Sequence, residues 1–254
     1  MRFTLVGTGT TLPDATRGPA GFLVESDGAR ILVDGGTGTI GRLAALGVDA
    51  RELDGGVYSH RHVDHCGDLV PLLFTMKVGI DKPRRRDYPI WAGSGFEDFF
   101  AALEGVYGSW IQPEGWKVRI AELVLDAADG ADLPGGVRLD TLPAVHTAGA
   151  LHLSFTSPSG YRVVFSGDTG PSEALAVLAR GADVLVTECA VETTDRWNSH
   201  LCATDVAAIV DAARPKRVVL THLYPMVDPT EALQVVRATG VPVERGHDGQ
   251  VLEG

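Results

Sequence analysis

The stretch Gly56-Val57-Tyr58-Ser59-His60-Arg61-His62-Val63-Asp64-His65-Cys66-Gly67-Asp68 places three histidines and an aspartate within six positions, His60 to His65. Imidazole nitrogens and carboxylate oxygens are ligands for zinc and similar divalent cations. In the pattern H-x-H-x-D-H, His60 and His62 fall on the same side of an extended backbone, because side chains alternate with period two. Asp64 and His65 follow where a loop turns into a helix, so they can face a second position nearby. One short segment can therefore seed two metal sites. A polar loop that is merely rich in histidine is the plain alternative, and the density of ligand-type residues at this spacing tells against it.

Upstream, residues 3–6 read as a strand. Residues 21–25 and 29–33 read as two more, joined by the hairpin turn Ser26-Asp27-Gly28. Asp34-Gly35-Gly36-Thr37-Gly38 then follows, a glycine-rich turn that fits neither nucleotide-loop pattern. Residues 39–46 read as a helix stopped by Gly47. Downstream of the histidine cluster, residues 69–78 are apolar and helix-compatible. Residues 80–135 are the least regular part. They hold a basic run, Pro83-Arg84-Arg85-Arg86, expected as a solvated loop, a strand over 88–92 and a helix over 96–103. Tyr107, Trp110 and Trp116 fall in a loop-like stretch, where aromatics are either pinned into a core or line a cleft.

Regular patterning returns at residue 137. A strand over 137–145 ends at His146, and a hairpin over 151–156 and 161–166 ends at Gly167-Asp168-Thr169. A helix over 172–179, a strand over 184–187 ending at Glu188, a helix over 204–213 and a strand over 217–220 lead to Thr221-His222. A helix over 229–239 precedes a terminal strand. Asp34, His60, His146, Asp168, Glu188 and His222 thus all stand at the ends of strands, where α/β sheets carry their chemistry. The expected architecture is one α/β domain spanning 1–254, built of two similar halves that share a cleft.

The totals narrow the partners. A formal net charge of -11 disfavours broad electrostatic binding of nucleic acid. Cys66, Cys189 and Cys202 lie far apart without a C-x-x-C pair, which reads as free thiols in a reducing compartment. The chain shows no signal-peptide pattern and no apolar run of membrane-spanning length, so a cytoplasmic protein without a membrane partner is expected.

Taken in order, Asp34 after a strand, the H-x-H-x-D-H cluster, His146, Ser166-Gly167-Asp168-Thr169 and Thr221-His222 resemble the metallo-β-lactamase superfamily, whose fold is a four-layer αββα sandwich. Leu5-Val6-Gly7-Thr8-Gly9, Asp34-Gly35-Gly36-Thr37-Gly38, Glu188-Cys189-Ala190 and His200-Leu201-Cys202-Ala203-Thr204 are similar to its ribonuclease Z branch. The resemblance implies that His60, His62 and His146 bind one divalent metal, that Asp64, His65 and His222 bind a second, and that Asp168 bridges. It implies that Glu188 and His200 act as an acid–base pair, and that Asp34 orients the site. Zinc is the first expectation for this ligand set, with manganese and iron as alternatives. A homodimer is expected from the branch alone.

Two departures from the branch stand out. Its members carry a long arm that grips tRNA between the histidine matching His146 and the aspartate matching Asp168; here a short hairpin joins them. Ala92-Gly93-Ser94-Gly95 also stands where the branch usually has Gly-Pro. The resulting expectation is a dinuclear phosphodiesterase acting on a small or cyclic phosphodiester through a metal-bridging hydroxide, with catalysis by Asp64, His200 and Glu188. A lactonase or thioesterase on the same metals, with Tyr107, Trp110 and Trp116 walling an apolar pocket, is the second expectation. A tRNA 3′-processing endonuclease ranks below both. His152 and His247 are read as structural or surface residues, and Cys66 and Cys202 as packing.

Overall fold

The computed structural model describes residues 1–79, 81, 84–123, 130–194 and 198–254. The first half opens with strands β1 (Arg2–Gly7), β2 (Gly21–Ser26) and β3 (Ala29–Gly35). Helix α1 (Thr39–Ala45), strand β4 (Gly55–Tyr58), the single turn α2 (Val63–Cys66) and helix α3 (Leu69–Val78) follow. Strand β5 (Tyr88–Gly93), helix α4 (Phe96–Tyr107) and strand β6 (Val118–Leu123) complete it. The second half holds β7 (Gly130–Leu133), β8 (Val137–Pro143), β9 (Leu151–Thr156), β10 (Arg162–Phe165), α5 (Glu173–Leu178) and β11 (Val184–Glu188). It continues through α6 (Ala203–Ala213), β12 (Val218–Thr221), α7 (Pro229–Arg237), β13 (Val243–Arg245) and β14 (Val251–Glu253).

Two seven-stranded sheets result, ordered β14-β1-β2-β3-β4-β5-β6 and β13-β12-β11-β10-β9-β8-β7. The β2–β3 hairpin closes through Asp27 and Gly28, both at positive φ (46° and 81°), the backbone handedness that matches strand twist. From β3 onward the first sheet is parallel, as are β10 to β13 in the second. Parallel pairs need crossovers, and the helices supply them.

Three apolar clusters define four layers. Phe3, Phe22, Ile31 and Val33 from one sheet pack with Leu139, Leu153, Phe155 and Val163 from the other. Outside the first sheet, Leu32, Tyr58 and Ile90 meet Leu43, Leu72, Leu73 and Phe96 of the helices. Outside the second, Val164, Leu185 and Leu220 meet Leu175, Val206, Val210 and Val236. The order is therefore helix, sheet, sheet, helix, the αββα sandwich expected. The final strand leaves the second sheet and pairs with β1, setting Phe3 against Leu252.

Residues 80–135 are more regular than their composition suggests. They add two parallel strands to the first sheet, one strand to the second and a helix of 12 residues. The helix runs four residues beyond the expected end, to Tyr107, and stops at Gly108. The basic run is not a uniformly solvated loop; Pro83 lies outside the described residues, and Arg84 is buried. Its guanidinium donates to the carbonyls of Leu53 (2.7 Å) and Asp87 (2.9 Å) and lies 5.2 and 5.3 Å from the Tyr88 and Trp116 ring centres. A planar cation with its donors satisfied and its faces against aromatic rings tolerates burial.

Candidate metal centre

The H-x-H-x-D-H segment leaves β4 and enters α2, so the strand end aims His60 and His62 while the helical turn aims Asp64 and His65. Two close approaches fix this loop. A side-chain carbon at Gly36 would lie 2.1 Å from the Asp64 carbonyl oxygen, so only glycine lets the turn after β3 press against it. Asp68 accepts from the backbone N–H groups of Gly38 (3.0 Å) and Ile40 (2.8 Å), tying the loop to the start of α1. The glycine-rich turn serves packing against the histidine loop.

Asp34, at the end of β3, is fully buried and held at φ 52°. Its Oδ1 accepts from the Ser59 backbone N–H and its Oδ2 from the Ser59 hydroxyl, each at 2.7 Å. Oδ2 also lies 2.7 Å from His65 Nδ1, which must carry the proton because a carboxylate only accepts. The Ser59 hydroxyl gives its one hydrogen to Asp34, so it accepts from His60 Nδ1, 3.0 Å away. His146 Nδ1 donates to the Ser199 carbonyl at 3.0 Å. In all three histidines the Nε2 lone pair is thereby left for the cleft.

Those lone pairs converge. Ligand atoms of His60, His62, His146 and Asp168 lie within 4.8 Å of one another, as do those of Asp64, His65 and His222. His62 Nδ1 is 3.1 Å from both His60 Nε2 and His146 Nε2. His222 Nε2 lies 3.3 Å from Asp64 Oδ2 and 3.6 Å from Asp168 Oδ2. Asp168 Oδ1 lies 3.2 Å from His65 Nε2, and Oδ2 lies 3.9 Å from His60 Nε2. Its carboxylate therefore stands between the two groups. His222 is held at φ 53°, with its backbone N–H on the Thr8 carbonyl at 2.9 Å.

The electrostatics describe a site built for cations. Burial, reinforced by neighbouring His65, pushes His60 well below the ordinary histidine range. Burial works to raise the Asp168 carboxyl, yet His222 and His65 hold it well below the ordinary carboxylate range. Burial likewise opposes a charge on His65, and Asp168 and Asp34 overcome it. His65 Nε2 is buried without a hydrogen-bond partner. The carboxylates of Asp34 and Asp168 thus favour positive charge in this buried place, and a divalent cation held by the inward nitrogens of His65 and its neighbours would supply it.

Beside this group, His200 Nδ1 lies 3.1 and 3.2 Å from the two oxygens of Glu188. Glu188 is buried and also accepts from the backbone N–H of Thr169 (2.5 Å) and Leu201 (3.3 Å). Burial works against a charged His200, and Glu188 raises it above its ordinary value. The ring stacks on His222 at 6.1 Å and 11°, and one of its nitrogens lies within 4.8 Å of ligand atoms of Asp168 and His222.

All nine residues singled out from the sequence, with Asp34, therefore meet at one edge of the sandwich. Two contributors were not singled out, Ser59 and Tyr224, while His152, read as structural or surface, takes a structural place. Ser59 couples Asp34 to His60, and its position next to the first histidine was the available signal. Tyr224, two residues beyond His222, sets its ring edge-on to His222 and His200 at 5.7 and 6.2 Å. His152 is buried beneath the Asp168 turn, its Nδ1 donating to the Ser166 carbonyl at 2.6 Å and its Nε2 2.9 Å from the Ser172 hydroxyl. The aromatics divide: Trp116 is in the outer core, whereas Tyr107 and Trp110 line an apolar groove of about 760 Å³ with Phe74 and Val63. Cys202 caps the start of α6.

A model of the beta-lactamase superfamily domain matches residues 29–223. A protein named ribonuclease Z from Mycobacterium avium is 31% identical over 245 residues, covering 89% of this chain and 86% of its own length. The crystal structure of the metallo-beta-lactamase fold protein YhfI from Bacillus subtilis superposes with a TM-score of 0.86 at 21% identity, covering 100% of this chain and 99% of that one. The short form of human tRNase Z gives 0.79 at 20% identity, covering 100% and 99%. The chain belongs to the metallo-β-lactamase superfamily, and is a hydrolase of the kind that works with divalent metals. Within it the chain stands in the ribonuclease Z-like branch and lacks that branch's long arm. Between His146 and Asp168 it forms only the short β9–β10 hairpin.

Proposed function

We propose that the protein is a dinuclear metal-dependent phosphodiesterase acting on a small or cyclic phosphodiester. The observation that carries this reading is the Glu188–His200 pair, a histidine held on a buried carboxylate at 3.1 Å beside His222 and Asp168. In this assignment His60, His62 and His146 hold one cation, Asp64, His65 and His222 hold the other, and Asp168 serves both. Two divalent cations bound there lower the pKa of a shared water toward neutrality and polarise the phosphoryl oxygens. Zinc is the proposed metal, since imidazole and carboxylate donors suit it.

The chain's own residues supply the rest. Asp34 and Ser59 keep His65 and His60 in the tautomers that present Nε2. Asp64 accepts from the incoming water and aligns it with phosphorus. His200, kept protonated by Glu188, donates its Nε2 proton to the leaving oxygen. The short hairpin and the net charge of -11 favour a small substrate over RNA. A cytoplasmic site of action, suggested by three free cysteines, and a homodimer belong to the same proposal.

A chromogenic aryl phosphodiester with added zinc or manganese tests the reading. Metal-dependent turnover that collapses in His200→Ala is expected; turnover that ignores the metal or this variant refutes it. A lactonase or thioesterase is the second reading. It is favoured by the apolar groove beside Val63, whose Phe74 and Trp110 rings meet edge to face at 5.8 Å. Faster hydrolysis of acyl thioesters or lactones than of phosphodiesters selects it.

A further inference from the structure

A second cleft, of about 200 Å³, opens beside the metal centre between the loop after β1 and the chain leaving β12. It is continuous with the centre. Gly9 lines both this cleft and the floor beneath Asp168 and His222, and Tyr224, whose ring abuts His222, forms its wall. Arg17 and Arg245 both line it.

Two guanidinium groups drawn together need a counter-charge. Among the described residues none is at ion-pair distance from either. Arg17 donates to the Thr8 hydroxyl (2.9 Å) and the Gly246 carbonyl (2.8 Å), two neutral acceptors that fix its direction and leave further N–H groups unspent. The Arg245 side chain makes no hydrogen bond or ion pair with the described residues, and its Nε is buried without a partner. Burial lowers the Arg17 pKa, the nearby Arg245 charge lowers it further, and Asp248 and Asp14, beyond ion-pair distance, offset this only in part.

The nearby acids are committed elsewhere. Asp248 accepts from the Thr8 backbone and hydroxyl and from the Gly18 backbone, at 2.8 to 2.9 Å. Asp14 also lines the cleft, but its Oδ1 faces Thr16 and the Arg17 backbone. A planar donor fork with no carboxylate at ion-pair distance, directed by two neutral acceptors beside a partly polar cleft, is suited to a tetrahedral oxyanion.

We propose that Arg17 and Arg245 form an oxyanion subsite that takes a phosphate group, separate from the one at the metals. The phosphate has two possible sources, a second phosphate on the substrate or free phosphate. The first rests on the phosphodiesterase reading and narrows its substrates to phosphodiesters carrying an additional phosphate group.

The test uses metal-loaded protein and sulfate, a tetrahedral oxyanion, replacing chloride at fixed ionic strength. The wild type is expected to gain several degrees in Tm. Arg245→Gln is expected to start at or above the wild-type Tm, since a repelling charge is gone, and to lose the sulfate response. Arg245→Lys, which keeps the charge, is expected to retain part of it. An equal sulfate response in wild type and Arg245→Gln overturns the subsite.

The source is read from kinetics on two aryl phosphodiesters, one with and one without a terminal phosphate. A shift of about tenfold in the ratio of their KM values in Arg245→Gln, the loss expected for one charge-assisted contact, assigns the site to the substrate. An unchanged ratio, with the sulfate response present in the wild type and lost in Arg245→Gln, assigns it to free phosphate. Absence of turnover on both substrates counts against the phosphodiesterase reading and leaves the sulfate response to decide the subsite.

Discussion

Asp34 Oδ2 accepts the Nδ1 proton of His65 at 2.7 Å, and the same carboxylate holds both the backbone and the hydroxyl of Ser59. One buried group thus sets the tautomers of two histidines that lie on different metals in the proposed assignment. Asp34→Asn replaces an acceptor with a donor and permits the wrong tautomer of His65. Metal affinity is expected to fall roughly 10- to 100-fold, the range for partners that orient ligands. Chelator competition followed by elemental analysis measures it, and unchanged affinity removes Asp34 from the orienting role.

His200 and Glu188 are proposed to act in proton transfer. His200→Ala is expected to reduce kcat about 10²- to 10⁴-fold with metal content preserved. Glu188→Gln should also lower kcat and shift the acidic and basic limbs of the pH profile closer together, because the charge that keeps His200 protonated is gone. Loss of bound metal in either variant would reassign the pair as metal ligands.

Gly36 touches the histidine loop. In Gly36→Ala the added carbon would fall 2.1 Å from the Asp64 carbonyl oxygen and 2.6 Å from the Pro19 side chain. Overpacking of this kind costs about 1–3 kcal/mol. Urea unfolding should show that loss together with weaker metal retention, whereas Gly47→Ala, with open space around it but φ 77°, should affect stability alone.

His152 gives a pH dependence of its own. Burial holds its pKa at about 4, below the unfolded value near 6.5. Between those values the unfolded chain binds the extra proton, so stability rises with pH and is fully present above about 6.5. It is lost as pH falls toward 4, by roughly 3 kcal/mol in total. Denaturant unfolding at pH 7.5 and 5.0 should therefore show a larger drop in the wild type than in His152→Gln; an equal drop would mean His152 is charged in the folded protein.

Much of this was readable from residue types. The H-x-H-x-D-H segment, Asp168 and His222 announce themselves because metal ligation admits few side chains, and strand ends before them are marked by apolar runs. The irregular middle was harder. Phe96, Phe99 and Phe100 pointed to a helix, but its final turn, Glu104 to Tyr107, carries no apolar period of its own and is continued by backbone hydrogen bonding up to Gly108. Arg84 looked solvated because charge in sequence does not reveal four carbonyls and two aromatic rings waiting for it. Ser59 and Tyr224 act through distances across the cleft, and serine and tyrosine are too common for spacing to mark them. Arg17 and Arg245 are 228 positions apart, and only the closing of β14 onto β1 and of β13 onto β12 makes them neighbours.

The His222–Asp64 contact joins residues 158 positions apart. A chain emerging from the ribosome, at about 5–20 residues per second, exposes His60, His62, Asp64 and His65 for many seconds before His146, Asp168 and His222 exist. During that interval the nascent segment is a flexible chelator with an incomplete set of donors, open to whichever cation is abundant. In the proposed assignment the metal pair can be selected only once the second sheet has docked, so the order of synthesis makes metal choice a late event in the maturation of the protein.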